Sequence, residues 1–102
     1  MAEAGIAFLF VSPGANPDEQ RAVISVPGGL ALLVVGAEDY QQAAEVAKNL
    51  VADGIKAIEL CAGFGHKGAA IIAEATEGKI PIGVVRFDDH PALNHKSGDS
   101  VF

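Results

Sequence analysis

Apolar runs of strand length alternate with segments of helical pattern along this chain, and that alternation constrains the fold more than any other feature. A strand, helix, strand, helix order at this spacing is typical of right-handed crossovers and a parallel sheet. Runs with few polar residues, such as F-L-F-V and L-L-V-V, fit a sheet covered on both faces. The four predicted strands are Ile6–Val11, Leu30–Val35, Ala57–Cys61 and Ile80–Phe87.

Three helices are predicted between these strands. Asn16 is followed by a proline and two acids, which is typical of a helix start, and Asp39 is a suitable N-cap for a long amphipathic helix. Gly54 lies where a left-handed residue would end that helix. The predicted helices run from Asn16 to about Val26, from Asp39 to Gly54, and from about His66 to Glu77.

These elements predict one α/β domain over residues 1–102, with residues 88–102 as an irregular C-terminal tail. The expected sheet has four mainly parallel strands in the flavodoxin-like order 2-1-3-4. A ferredoxin-like α+β arrangement is the alternative. It is favoured if the segment after Asn16 is a loop and the first two strands pair antiparallel.

Charge and composition exclude several classes of partner. The net charge of −6 provides no basic face for nucleic acid or for an anionic membrane. The single cysteine cannot form an intrachain disulfide, so a reducing compartment such as the cytoplasm is expected. No leader or membrane-spanning run is predicted. A mean hydropathy of +0.32 in so short a chain favours a homo-oligomer.

Ligands of open parallel sheets bind beyond the carboxyl ends of the strands, and the unusual residues of this chain lie there. The glycine-rich turn after the third strand leads into a helix whose N-terminal N–H groups suit a carboxylate or phosphate. The alternative is that the glycines serve only the tight turn. No dinucleotide or other cofactor is predicted, because the glycine spacing lies on the wrong strand and lacks the downstream acid. The predicted ligand-binding residues are Gly63, Gly65, His66, Lys67, Arg86 and His90.

The same edge of the sheet suggests an alternative function, a small enzyme. Cys61 could be a nucleophile or a buried structural residue. The positive end of a helix disfavours an imidazolium at His66, so a neutral base or hydrogen-bond partner is expected there. Asp88 or Asp89 could complete an acid–base pair, either within one chain or across a subunit interface. The predicted catalytic residues are Cys61, His66 and Asp88, and no metal site is predicted, since the spacing matches no standard metal motif.

Four stretches of the chain resemble a family of short, uncharacterised bacterial α/β proteins described only as a domain of unknown function. They are F-L-F-V-S-P-G-A-N-P, E-L-C-A-G-F-G-H-K-G, I-P-I-G-V-V-R-F-D-D-H-P and K-S-G-D-S-V-F, which together span nearly the whole chain. The resemblance implies a compact α/β domain and no established activity, and it supplies no catalytic residues. The leading functional hypothesis therefore stays a module that binds a small anionic metabolite.

Overall fold

The computed structural model describes residues 5–102 as a five-stranded sheet with two α-helices. The tail contains two short 3-10 helices, Pro91–Leu93 and Gly98–Ser100. Within the described residues, neither α-helix is long and apolar enough to cross a membrane. In chain order the elements are β1 (Gly5–Val11), β2 (Arg21–Val26), β3 (Leu30–Ala37), α1 (Tyr40–Ala52), β4 (Ala57–Leu60), α2 (His66–Ala75) and β5 (Ile82–Val84).

The α/β class and a mainly parallel sheet are confirmed, but the prediction of four strands is wrong: the four predicted strands lie side by side as β3-β1-β4-β5, and an unpredicted strand is added at one edge. The sheet has five strands in the order β2-β3-β1-β4-β5. The four strands from β3 to β5 pair in parallel, and β2 is an antiparallel edge strand. The ferredoxin-like alternative is also wrong, because β1 and β3 are parallel neighbours rather than an antiparallel pair.

The additional strand, β2, lies in the segment where a helix was predicted to begin at Asn16. Asn16 does form a capping contact, since its Oδ1 accepts a hydrogen bond from the Asp18 N–H at 2.9 Å, but the chain makes only a turn there. The β-branched residues that follow prefer an extended backbone. The segment Pro27–Gly29 then turns the chain back into β3, with positive φ at both glycines. The glycine pair therefore closes a hairpin and does not end a helix.

The two α-helices lie on the same face of the sheet and form one core with it. Asp39 caps α1 as predicted, because its side chain accepts a hydrogen bond from the Gln42 N–H at 2.8 Å. Gly54 follows α1 with a φ of +92°, which agrees with its predicted role. Alternate strand residues are buried against the helices. The fully buried large side chains of this core include Leu9, Leu33, Val35, Leu50, Ile58, Leu60 and Ile72.

No helix of residues 5–102 lies on the opposite face of the sheet, so the expected sheet covered on both faces is also wrong. The segment predicted as the first helix would have covered this face, and it is the edge strand β2 instead. The side chains that alternate with the buried ones lie here and are apolar. We call this surface the open face. Its main residues are Ile6, Phe8 and Phe10 of β1, Leu32 and Val34 of β3, and Ile24 of β2.

Candidate functional site

The N-terminus of α2 is occupied by a carboxylate from the C-terminal tail. Asp99 Oδ2 accepts a hydrogen bond from the Lys67 N–H at 2.9 Å, and its Oδ1 accepts one from the Gly68 N–H at 3.1 Å. A helix cannot pair these first N–H groups internally, and a negative charge suits its positive end. The N-cap residue, Gly65, has no side chain that could do this. Asp99 therefore takes the anion position that the helix N-terminus offers.

Tyr40 joins the tail to both helices. Its hydroxyl donates a hydrogen bond to Asp99 Oδ1 at 2.8 Å and accepts one from the Gly65 N–H at 3.0 Å. Its ring stacks on Phe64 with 5.5 Å between centroids and lies 6.1 Å from the ring of Phe102. Burial raises the pKa of Tyr40 to about 12, an effect that the Gly65 N–H opposes and Asp99 reinforces. The phenol is therefore protonated at neutral pH and can donate to Asp99.

Opposing effects act on the carboxylate of Asp99. Burial raises the pKa of Asp99, whereas the hydrogen bonds from the Lys67 N–H, the Tyr40 hydroxyl and the Gly68 N–H lower it. The hydrogen bonds prevail, so the pKa lies below the ordinary value for an aspartate. Asp99 is ionised at neutral pH, as its position at the helix N-terminus requires.

The glycines near this turn make room for the tail. A Cβ on Gly65 would lie 2.5 Å from the Asp99 carboxylate and the Ser97 Oγ. A Cβ on Gly98 would overlap the carbonyl oxygen of Gly63. Close approach within the chain therefore accounts for the absence of a side chain at both positions, and at Gly65 it replaces the approach of a ligand that the sequence suggested.

A second predicted group converges where the chain leaves β5. The Arg86 guanidinium contacts Nε2 of His66, and its Nε donates a hydrogen bond to Asp88 Oδ1 at 2.8 Å. A guanidinium has no acceptor, so the nitrogen that can accept in this contact is the His66 Nε2. His66 and Arg86 both line a cavity of about 60 Å³ between the start of α2 and the end of β5. We call this cavity the Arg86 cleft.

The other predicted polar residues lie in different surroundings. His90 Nδ1 accepts a hydrogen bond from the Ala92 N–H at 3.1 Å, and its ring packs edge-on against Phe87. This contact places His90 in the turn of the tail. Asp89 pairs with His95 at 3.0 Å, where both side chains are exposed. Lys67 directly follows His66 and is exposed.

Cys61 lies at another cavity, on the open face. Its Sγ accepts a hydrogen bond from the Gly63 N–H at 3.2 Å and lines a hollow of about 170 Å³ together with Phe8, Glu59 and Val85. Within residues 5–102, no hydrogen bond joins Cys61 to His66 or Asp88. The predicted catalytic residues therefore fall into two places: Arg86 links His66 to Asp88, and Cys61 is separate.

Tyr40, Ser97 and Asp99 surround the N-terminus of α2 and were not among the predicted site residues. The available signal was indirect. Tyr40 is the chain's single tyrosine, and Ser97 and Asp99 belong to the K-S-G-D-S-V-F stretch that carries the family resemblance. Ser97 Oγ accepts a hydrogen bond from the Asp99 N–H at 3.2 Å, which fixes the short 3-10 helix that presents the carboxylate.

Comparison with known proteins gives a family and nothing beyond it. Among the described residues, no group of three or more His, Cys, Asp and Glu side chains could hold a metal ion. No curated protein and no solved structure matches the chain. The model of a family of unknown function, DUF6506, matches residues 4–100. The protein therefore belongs to the DUF6506 family, in agreement with the resemblance carried by its sequence motifs.

Proposed function

We propose that this protein binds a small anion, the carboxylate or phosphate group of a metabolite, in the Arg86 cleft. The observation that supports this most is the meeting of Arg86 and His66 at the carboxyl edge of the sheet. Ligands of open α/β sheets bind at this edge. A guanidinium offers a planar set of donors that matches a carboxylate or phosphate, which makes arginine well suited to the role.

The size of the cleft limits the ligand class. A volume of 60 Å³ corresponds to about two water molecules. One anionic group fits, and the rest of the metabolite would extend into solvent. Asp88 holds the Nε of Arg86 and His66 contacts its Nη2, so the guanidinium is oriented with Nη1 and the second N–H of Nη2 left for the ligand. His66 borders the cleft on the α2 side, and Lys67, the next residue in the chain, adds positive charge.

The α2 N-terminus supports the proposal only indirectly. The N–H groups of Lys67 and Gly68 already donate to Asp99, so they are not free to hold a second anion while the tail is docked. For this reason we assign the ligand to the guanidinium and not to the helix end. Gly63 and Gly65 were predicted to bind the ligand. In this proposal they form only the turn that precedes His66.

The enzyme alternative has less support from the arrangement of its residues. Arg86 stands between His66 and Asp88, so these two do not form an acid–base pair. Asp89 is engaged with His95 in the tail. Cys61 lines a different cavity. A reaction that uses these groups together would require them to move.

Titration with inorganic phosphate and with acetate tests the proposal. We expect ¹H–¹⁵N chemical shifts of residues around the Arg86 cleft to change saturably. Arg86→Gln should weaken binding by about tenfold or more, because one charge-assisted hydrogen bond contributes roughly 1.5–3 kcal/mol. The chain offers a matched control in its other arginine: Arg21→Gln on the edge strand should leave the affinity unchanged.

Two results would contradict the proposal. One is the absence of saturable shift changes with either anion. The other is equal binding by the Arg86→Gln protein and the Arg21→Gln protein, which would mean that the anion responds only to the overall charge of the chain. If the changes instead centre on Lys67, Gly68 and Asp99, the anion competes with the tail at the α2 N-terminus and the assigned position is wrong.

A further inference from the structure

The open face is an apolar surface that runs across the whole sheet. Ile6, Leu32 and Ile24 lie in register on three adjacent strands, so their side chains share this face. Phe8 and Val34 form the next row. Phe8 is 36 % exposed and Ile24 is 54 % exposed, although both are large apolar side chains. Monomeric proteins rarely expose contiguous apolar surface on this scale.

One charged side chain interrupts the face in the described strands. Glu59 of β4 lies in register with Phe8 and with Gly83 of β5. Beside it is the hollow of about 170 Å³, which Phe8, Phe10 and Val85 border. The surface therefore has a ridge of aromatic side chains next to a depression. A two-fold axis between the ridge and the depression would set the ridge of each copy against the depression of the other.

The dimensions of the sheet agree with a second copy as the occupant. Strands about 4.8 Å apart, with about 3.3 Å per residue, give this face roughly 450 Å² in projection. Side-chain relief adds to that value, so two faces together reach the roughly 1,000 Å² that separates specific interfaces from incidental contacts. Other apolar partners fit less well. An anionic lipid surface opposes the net charge of −6 over its whole extent, whereas a second copy carries the same charge on its other surfaces and brings an equally apolar face to the contact.

We propose that the open face packs against the open face of a second copy, which makes the protein a two-fold homodimer. The two sheets stack about 10 Å apart, as in a β-sandwich, with helices on both outer surfaces. The hollow beside Glu59 and Cys61 lies towards the β5 edge of the sheet, at the rim of this interface, where the Glu59 carboxylate keeps contact with solvent. This proposal is independent of anion binding, because the Arg86 cleft lies at the edge of the sheet.

Two neighbouring residues of β2 provide a matched test. Ile24 lies on the open face. Val23 is in register with Leu33, so it lies on the face that carries the helices, at the edge of the sheet where the helices do not cover it. Their exposed fractions are almost equal, 54 % and 55 %. Light scattering coupled to size exclusion should give twice 10.4 kDa for the unaltered protein and for Val23→Lys. Ile24→Lys should raise the dissociation constant of the dimer about a hundredfold or more, because a charge would be buried without a partner.

Phe8→Glu distinguishes face packing from pairing of the β2 edges. Phe8 is on the central strand, so its replacement should abolish a face-to-face dimer and leave an edge-to-edge dimer intact. Circular dichroism establishes whether each variant is folded. If Phe8→Glu does not fold, Ile24→Lys still tests the proposal. A monomeric unaltered protein overturns the proposal. So does equal dissociation by the two β2 variants, or a dimer that survives both Ile24→Lys and Phe8→Glu.

Discussion

Replacing Gly98 with alanine is expected to detach the C-terminal tail and to lower the free energy of unfolding by about 3 kcal/mol. The added Cβ would overlap the carbonyl oxygen of Gly63, and a backbone atom cannot rotate away as a side chain can. The tail must therefore leave its position. It then loses the Asp99 hydrogen bonds and the packing of Phe102 on the core. Urea unfolding measures the loss, and limited proteolysis detects the freed tail.

Gly83→Ala is the matched control for this substitution. Gly83 lies in β5 with an ordinary φ, and the nearest atom to its added Cβ would be 3.6 Å away. We expect a change below about 0.5 kcal/mol. A second comparison combines Gly98→Ala with Asp99→Ala. The double variant should be no less stable than Gly98→Ala alone, because Gly98→Ala has already removed the contacts of Asp99. If Gly98→Ala is as stable as the unaltered protein, the close contact with Gly63 is wrong.

Asp99→Asn is expected to cost about 2 kcal/mol at neutral pH, because it removes the charge from the α2 N-terminus and weakens its hydrogen bonds. The pKa of Asp99 is lower in the folded protein than in the unfolded chain. Its contribution is therefore complete above the unfolded value of about 4 and is lost as the pH falls through the folded value. Denaturation curves from pH 7 to pH 2 should show a constant difference between the two proteins that narrows below about pH 4.

Asp89→Asn provides the control for a carboxylate of the same tail. Asp89 pairs with His95 at the exposed surface, so its loss should change stability by less than about 0.5 kcal/mol. Equal effects of the two substitutions would contradict the role assigned to Asp99.

Tyr40 makes the stability depend on pH in the alkaline range. The folded pKa of Tyr40 is about 12, so its contribution is complete below the unfolded value of about 10 and is lost between these values.

The elements predicted correctly are those that depend on local chemistry. Asp39 and Gly54 bound α1, because an N-cap and a left-handed C-terminal residue act within a turn of the helix. The segment after Asn16 carried a similar local start signal and still became a strand. There, the β-branched residues and the glycine pair allowed pairing with β3, and the tertiary partner outweighed the cap.

The sequence predicts only those residues of the candidate site whose position follows from the ends of the strands. Arg86 and His66 follow neighbouring parallel strands, so their meeting at one edge of the sheet could be expected. The partner of the α2 N-terminus could not. Asp99 is 32 residues from Lys67 and 59 from Tyr40, and no spacing rule links positions so far apart. The glycines of the turn before α2 were assigned to ligand binding because no local motif indicates that the tail packs against them.

The long separation between Asp99 and the helix that it caps also bears on how the protein unfolds in time. The contacts of Asp99 require α1, α2 and the turn at Gly63 to be in place before the tail can add to them. Contacts that form after the rate-limiting step slow unfolding and leave the folding rate nearly unchanged. We expect the tail to dock after that step, so residues 97–102 should slow unfolding and leave the folding rate nearly unchanged.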